Sequence, residues 1–127
     1  MYTFERTSPD TWTHPPVLDL STIHQLCRGD QSRIDRILSV FAAELPESEK
    51  KMREAFQSRD YETLRKEMHR LSPSMGNLGA VDVQNELLDL EAALDSGEIV
   101  FNFTSRVSQV LDQVAHVTRL LKRATII

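Results

Sequence analysis

This sequence has one cysteine, fewer basic than acidic residues and no long apolar run, and each of these features argues against a class of protein. The one cysteine, Cys27, cannot form an internal disulfide, which favours a reducing compartment. No apolar run approaches the roughly 20 residues that a membrane-spanning helix needs. The first residues, Met1 to Arg6, lack the basic region and apolar stretch of a signal peptide. We therefore expect a cytoplasmic protein that does not cross a membrane.

The charge balance and the histidine spacing narrow the choice of partners. Binding to a phosphate backbone normally needs a concentrated basic surface, and the net charge of −4 argues against it, so we expect no nucleic-acid partner. The four histidines are scattered and no cysteine pair accompanies them, which is not the spacing of metal ligands. The sequence also has no glycine-rich phosphate loop or other nucleotide-binding motif. We therefore expect no metal site, no ATP binding and no autokinase activity.

The length of 127 residues fits a single domain. Residues 1–16 contain three of the five prolines and predict an irregular N-terminal tail or linker. Trp12 is unusual in such a tail and is a candidate to pack against the rest of the protein. Residues 17–123 predict a helical bundle.

Most of the sequence after residue 16 has the apolar periodicity of helices, and it contains only four glycines. Ser21 is expected to cap a short first helix that Gly29 stops. Asp30 is expected to cap a long second helix, which Pro46 should kink or break. The apolar positions of that second helix share one broad side: Ile34, Ile37, Leu38, Val40, Phe41 and Leu45.

Three further helices complete the predicted fold. Asp60 opens the third, Gly79 and Ala80 mark a tight turn, the fourth ends near Gly97, and the fifth covers about 103–123. Apolar residues of the third helix repeat at spacings of four and three, a seam suited to a bundle core: Leu64, Met68, Leu71, Met75 and Leu78. Short connections favour antiparallel neighbours. We expect an all-α, up-down antiparallel four-helix bundle with a short additional N-terminal helix.

A second face of the third helix, beside this seam, contains residues that could take part in a reaction. Residues three or four apart on a helix are neighbours. The residues that share this face are Arg65, Lys66, His69, Ser72, Pro73 and Gly76. A phosphate on the imidazole would find positive charge on one side, and small residues on the other would let a protein approach. From the residues alone, an ordinary surface histidine is the commoner explanation of such a pattern.

The stretch His69-Arg-Leu-Ser-Pro-Ser-Met-Gly-Asn-Leu-Gly-Ala80 resembles the signature of histidine-phosphotransfer (HPt) domains. In that family, Leu-Lys-Gly follows the phosphorylated histidine and Leu-Gly-Ala comes several residues later. Leu90-Glu91 is similar to the family's Leu-Glu pair on the helix that faces the histidine. The upstream motifs also fall in the family's order, so the resemblance covers about residues 17–122.

The resemblance implies a phosphocarrier of a two-component phosphorelay rather than an enzyme. His69 would accept a phosphoryl group from the aspartyl phosphate of a receiver domain and pass it to another receiver. The implied partners are response-regulator receiver domains and a hybrid sensor histidine kinase, and the domain is expected to be a monomer. The receiver would supply Mg²⁺, so no cofactor is expected on this chain.

Residues on the fourth helix have supporting roles by the same resemblance. Glu91 would accept a hydrogen bond from the second ring nitrogen of His69 and so fix the tautomer. An ordinary surface glutamate is an equally good explanation of Glu91. Gln84, on the same helix, is expected to line the same surface.

Two departures from the family pattern stand directly after the histidine. Ser72 and Pro73 replace the family's lysine and glycine. The lysine normally lies close to the phosphate, and Lys66 and Arg65 are candidates to take its place. Pro73 lacks the N–H that would bond the carbonyl of His69, which predicts a local bend and a freed carbonyl.

These departures leave alternative functions open. A degenerate HPt-like module could dock response-regulator receivers without phosphotransfer. An unrelated bundle used for oligomerisation would also be helical, but the order of the motifs disfavours it.

Overall fold

The computed structural model describes residue 12, residues 14–97 and residues 102–125. This part of the chain contains no strand and folds into five α-helices: α1 (Ser21–Leu26), α2 (Gln31–Gln57), α3 (Tyr61–Asn77), α4 (Val81–Ser96) and α5 (Phe103–Thr125). Helix α3 packs against α2 and α4, and α5 closes the bundle by packing against α2 and α4 as well. The predicted four-helix bundle with a short N-terminal helix is therefore confirmed.

Aspartates begin two of the long helices, as their N-cap positions predict. Oδ1 of Asp30 accepts a hydrogen bond from the amide of Arg33 at 3.3 Å, and Oδ1 of Asp60 accepts one from the amide of Thr63 at 3.2 Å. Each carboxylate satisfies one of the amides that a helix N-terminus leaves without an intrahelical partner.

The prediction that Ser21 caps α1 is wrong, because Asp19 supplies the side-chain acceptor at the start of this helix. Ser21 is the first residue of α1, and its amide and hydroxyl both donate to Oδ1 of Asp19, at 3.0 and 2.6 Å. The amide of Asp19 in turn donates to the carbonyl of Leu78 at 2.9 Å. A Cβ at Gly79 would lie 2.5 Å from the Cβ of Asp19, so glycine is required where the N-terminal segment crosses the α3–α4 turn. The contact joins the start of the bundle to the turn that follows the histidine helix.

Proline does not end either helix that contains it. Helix α2 continues through Pro46 and α3 continues through Pro73, so the predicted break at Pro46 does not occur. Each proline removes one backbone hydrogen bond, and burial of the surrounding apolar side offsets that loss. Val40, which we expected on the apolar side of α2, is instead exposed to solvent.

The core confirms the predicted seam of α3. All five of its residues are buried: Leu64, Met68, Leu71, Met75 and Leu78. Helix α5 faces them across the bundle with its own buried row: Val107, Val110, Leu111, Val114, Val117 and Leu121. Burying these rows fixes the rotation of α3 about its axis, which directs residues beside the seam outward. None of the described helices has the length and hydropathy of a membrane span.

Trp12 packs against the bundle although it is not itself part of a helix. Its side chain is buried, and its ring meets the ring of His116 on α5 edge to face, with the centroids 5.5 Å apart. The division into a tail (1–16) and a bundle (17–123) stays a prediction, since residues 1–11 and residue 13 lie outside the described part.

Candidate functional site

His69 stands out from the middle of α3. The neighbouring Met68 and Leu71 are buried in the core, whereas 73% of the His69 side chain is exposed. The buried seam sets the rotation of α3 about its axis, so the imidazole of His69 projects into solvent.

The ring of His69 is held from the neighbouring helix. Its Nδ1 lies 2.8 Å from Oε1 of Glu91 on α4, and only 18% of the Glu91 side chain is exposed. Opposite a carboxylate, Nδ1 of a neutral imidazole carries the proton and donates it. Nε2 then keeps its lone pair. The two residues singled out on different helices are thus in contact, and the geometry leaves Nε2 available as a nucleophile.

The two basic residues before His69 share one acidic partner. Nη2 of Arg65 lies 3.0 Å from Oε1 of Glu62, and Nζ of Lys66 lies 3.6 Å from the same oxygen. The hydrogen bond from Arg65 and the charges of both cations lower the pKa of the Glu62 carboxyl. Positive charge is therefore present beside His69, but it is partly neutralised.

Arg65 is more firmly engaged than Lys66. The hydrogen bond and charge of Glu62 raise the pKa of Arg65, and the carboxylates of Asp95 and Glu91 add to this effect. Only 27% of the Arg65 side chain is exposed, against 67% for Lys66. Of the two cations, Lys66 is the one free to turn towards a new anion.

Ser72 lies under the site rather than on its surface. Its residue exposure is 3%, and its Oγ donates a hydrogen bond to the carbonyl of His69 at 3.1 Å. This is the carbonyl that Pro73 leaves without an amide donor, so the freed carbonyl predicted from the sequence receives a hydroxyl instead. Pro73 itself is exposed. We did not anticipate the hydroxyl, although a serine immediately before a helical proline is in position to reach that carbonyl.

Gly76 and Gln84 contact each other at a distance from the imidazole. A Cβ at Gly76 would lie 2.7 Å from the side-chain amide of Gln84, so the glycine makes room for the packing of α3 against α4. They lie two turns from His69 and Glu91 respectively, or about 10 Å along the helix axes. The structure thus gives Gly76 a packing role, and it does not bring Gln84 to the ring.

The sequence that forms this helical arrangement matches a known protein family. The family model described as Hpt domain matches residues 36–123, which is well over half of the chain. The chain belongs to the Hpt domain family. Hpt domains are phosphocarriers, not enzymes, and they act with receiver domains and histidine kinases in two-component phosphorelays.

A solved structure supports the fold of this Hpt domain. The crystal structure of histidine-containing phosphotransfer protein B (HptB) from Pseudomonas aeruginosa PAO1 is similar, with a TM-score of 0.72 and 23% sequence identity. The similarity covers 88% of this chain and 96% of that one. Comparison with curated proteins gives no match. At this identity the structural likeness shows the helical fold alone.

One apolar residue of this Hpt domain reaches the surface beside the histidine. Leu88, which the sequence did not single out, is 41% exposed on α4 and lies one turn before Glu91. Glu91 is opposite His69, and α3 and α4 run antiparallel, so Leu88 is level with Ser72 and one residue from the level of the exposed Pro73. The side chains of Leu88 and Pro73 give the site an apolar margin.

Proposed function

We propose that this Hpt domain accepts a phosphoryl group on Nε2 of His69 from the aspartyl phosphate of one receiver domain and passes it to a second receiver. The observation that carries the proposal is the contact between Nδ1 of His69 and Oε1 of Glu91, at 2.8 Å, on a ring that is otherwise exposed. A histidine that only contacts water on the protein surface has no need of a mostly buried carboxylate held against its ring.

The chemistry requires little from this chain beyond position and charge. The lone pair of Nε2 attacks phosphorus in line, forming the N–P bond while the P–O bond to the receiver's aspartate breaks and leaves its carboxylate free. The ring gains positive charge as the bond forms, and Glu91 stabilises that charge through the Nδ1–H hydrogen bond. We assign the Mg²⁺ of the reaction to the receiver and none to this chain.

Lys66 is the proposed substitute for the family's lysine. Its ammonium group is mostly exposed and only loosely paired with Glu62, at 3.6 Å. Arg65 has a shorter contact with Glu62 and two further carboxylates nearby. A phosphoryl group on His69 would therefore draw Lys66 away from Glu62 at a smaller cost than Arg65.

The receiver is proposed to dock on the surface of α3 and α4 that surrounds His69. Pro73 and Leu88 give this surface its apolar part, and transient signalling contacts of this kind are usually small. The cognate partners we propose are response-regulator receivers and a hybrid sensor histidine kinase, with this domain acting as a cytoplasmic monomer.

The second candidate is a module that docks receivers without accepting phosphate. The presence of Ser72 and Pro73 in place of the lysine and glycine favours it. The held ring of His69 favours the carrier, because docking alone does not require an oriented imidazole.

The two functions are separated by mixing the domain with a phosphorylated receiver and Mg²⁺ and measuring the intact mass. A carrier gains one acid-labile phosphoryl group, and the His69→Gln variant gains none. If several receivers bind but none transfers phosphate to the wild type, the domain is a docking module.

A further inference from the structure

We propose that Ser72 is a positioning residue for the phosphoacceptor, because its hydroxyl supplies the hydrogen bond that Pro73 removes from the carbonyl of His69. This inference deepens the proposed function and rests on it for its effect on transfer. Its structural part concerns only the orientation of His69 and can be measured without a receiver.

The need for a donor arises from the position of Pro73 in a helix that does not end. Helix α3 runs from Tyr61 to Asn77, so the residue four positions before the proline should receive an amide hydrogen bond from position 73. That residue is His69. Proline has no N–H to give, and its ring also crowds this carbonyl. The defect that a helical proline creates therefore falls on the residue that carries the reacting group.

The hydroxyl of Ser72 repairs this defect from inside the bundle. Oγ lies 3.1 Å from the carbonyl oxygen of His69, and the residue is only 3% exposed. Because Ser72 is buried, its hydroxyl has few water molecules to compete for its hydrogen bond. The bond thus fixes the peptide plane that follows His69, and with it the direction of the Cα–Cβ bond.

His69 is then held at two points. Ser72 of its own helix holds the backbone carbonyl, and Glu91 of α4 holds Nδ1 of the ring at 2.8 Å. Displacements of an ångström at a reacting group lower transfer rates strongly. Loss of the backbone contact would lengthen or misalign the ring contact, so the two act on the same geometry.

A serine or threonine bond to a helix carbonyl is common, and the chain contains a suitable comparison. Oγ1 of Thr118 donates to the carbonyl of Val114 at 3.0 Å in the buried face of α5. There the amide of Thr118 points at the same carbonyl, so the hydroxyl is a second donor. At His69 the hydroxyl replaces the amide. Removing the two hydroxyls should therefore have different consequences.

The test is a double-mutant cycle of Ser72→Ala and Pro73→Ala, with Thr118→Val as the matched control. The free proteins are labelled with ¹⁵N-histidine, and the tautomer and ring shifts of His69 are measured by NMR. The initial rate of phosphoryl transfer is measured beside them. We expect Ser72→Ala to shift the His69 ring signals and to slow transfer by about five-fold, the size of one hydrogen bond. In the Pro73→Ala background the restored amide takes the carbonyl, and Ser72→Ala should then change neither quantity.

Two results would overturn the inference. One is that Ser72→Ala fails to act differently in the two backgrounds, whether its effect is equal in both or absent from both. The other is an equal change of the His69 signals in Thr118→Val, which would mark a general loosening of the bundle. If the wild type does not transfer phosphate at all, the proposed function fails, while the NMR cycle still decides whether Ser72 positions His69.

Discussion

Oε1 of Glu91 lies 2.8 Å from Nδ1 of His69, so α4 supplies the carboxylate that orients the imidazole of α3. The contact joins residues from two helices whose register is set by the turn at Gly79 and Ala80. Its two members differ sharply in exposure, because 73% of the His69 side chain is exposed and only 18% of the Glu91 side chain is. This asymmetry is what a nucleophile and its orienting group require.

Removing the carboxylate of Glu91 should slow transfer without unfolding the domain. We expect Glu91→Ala to lower the initial rate by about ten-fold, since hydrogen bonds to charged groups contribute about 1.5–3 kcal/mol. Asp89→Ala removes a carboxylate from an exposed position on the same helix and serves as the control. A wild-type rate in Glu91→Ala would exclude the residue from the mechanism.

Lys66 and Arg65 should differ in their effect on phosphotransfer. Lys66→Ala is expected to slow transfer by about three- to five-fold, the scale of one partly screened charge contact. Arg65→Ala should have a smaller direct effect, because its charge is already engaged by Glu62. Initial rates at low and high salt check this, since screening should narrow the difference. A larger effect of Arg65→Ala at both salt concentrations would reverse the assignment.

Leu88 should contribute to receiver binding but not to the stability of the fold. Leu88→Asp is expected to weaken binding by about ten-fold or more, as burying a charge at an apolar contact costs over 1 kcal/mol. Val40→Asp on α2 changes an exposed apolar residue of similar kind and should leave binding unchanged. Calorimetry measures both. Equal binding by the two variants would place the docking surface elsewhere.

His116 should make the stability of the protein depend on pH. Partial burial, together with the charges of Arg119 and Arg123, holds the pKa of His116 below its ordinary value of 6.5. The unfolded chain then binds this proton more readily than the folded chain. The stability contributed by the neutral ring is present above pH 6.5 and is lost as the pH falls through the lowered pKa.

Urea unfolding of the wild type and of His116→Gln is measured from above pH 6.5 down through the lowered pKa of His116. Comparing the two proteins separates the contribution of His116 to stability from that of the carboxylates, which both proteins share. The difference in unfolding free energy between them should decrease with falling pH. The fluorescence of Trp12, the only tryptophan, should follow the urea unfolding transition, because its ring contacts His116 in the folded protein. A pH-independent difference would contradict the prediction.

The helices and their packing faces could be predicted from the sequence because those signals are local. The repeat from Leu64 to Leu78 defined the buried side of α3, and Asp30 and Asp60 marked two helix starts. Of the kink or break predicted at Pro46, the break does not occur, because burial of the rest of α2 outweighs one lost hydrogen bond. A local sequence signal does not contain the stabilisation that comes from this tertiary packing.

The contacts of the site depend on the register in which α3 packs against α4. A local sequence pattern does not determine that register. The exposure of Leu88 and the packing of Gly76 under Gln84 follow from the register of α3 and α4. Resemblance to a family placed Glu91 near His69, but spacing alone did not. The hydrogen bond of the Ser72 hydroxyl was not predicted. The family pattern has a lysine at this position, so the sequence was interpreted only in terms of the lost lysine.

The most direct test of this account is NMR of the phosphorylated domain labelled with ¹⁵N-histidine. We expect phosphorus to couple to Nε2 of His69, with Nδ1 protonated and its signal changed in Glu91→Ala. A phosphoryl group on Nδ1, on another histidine, or on no residue of the chain would contradict the account.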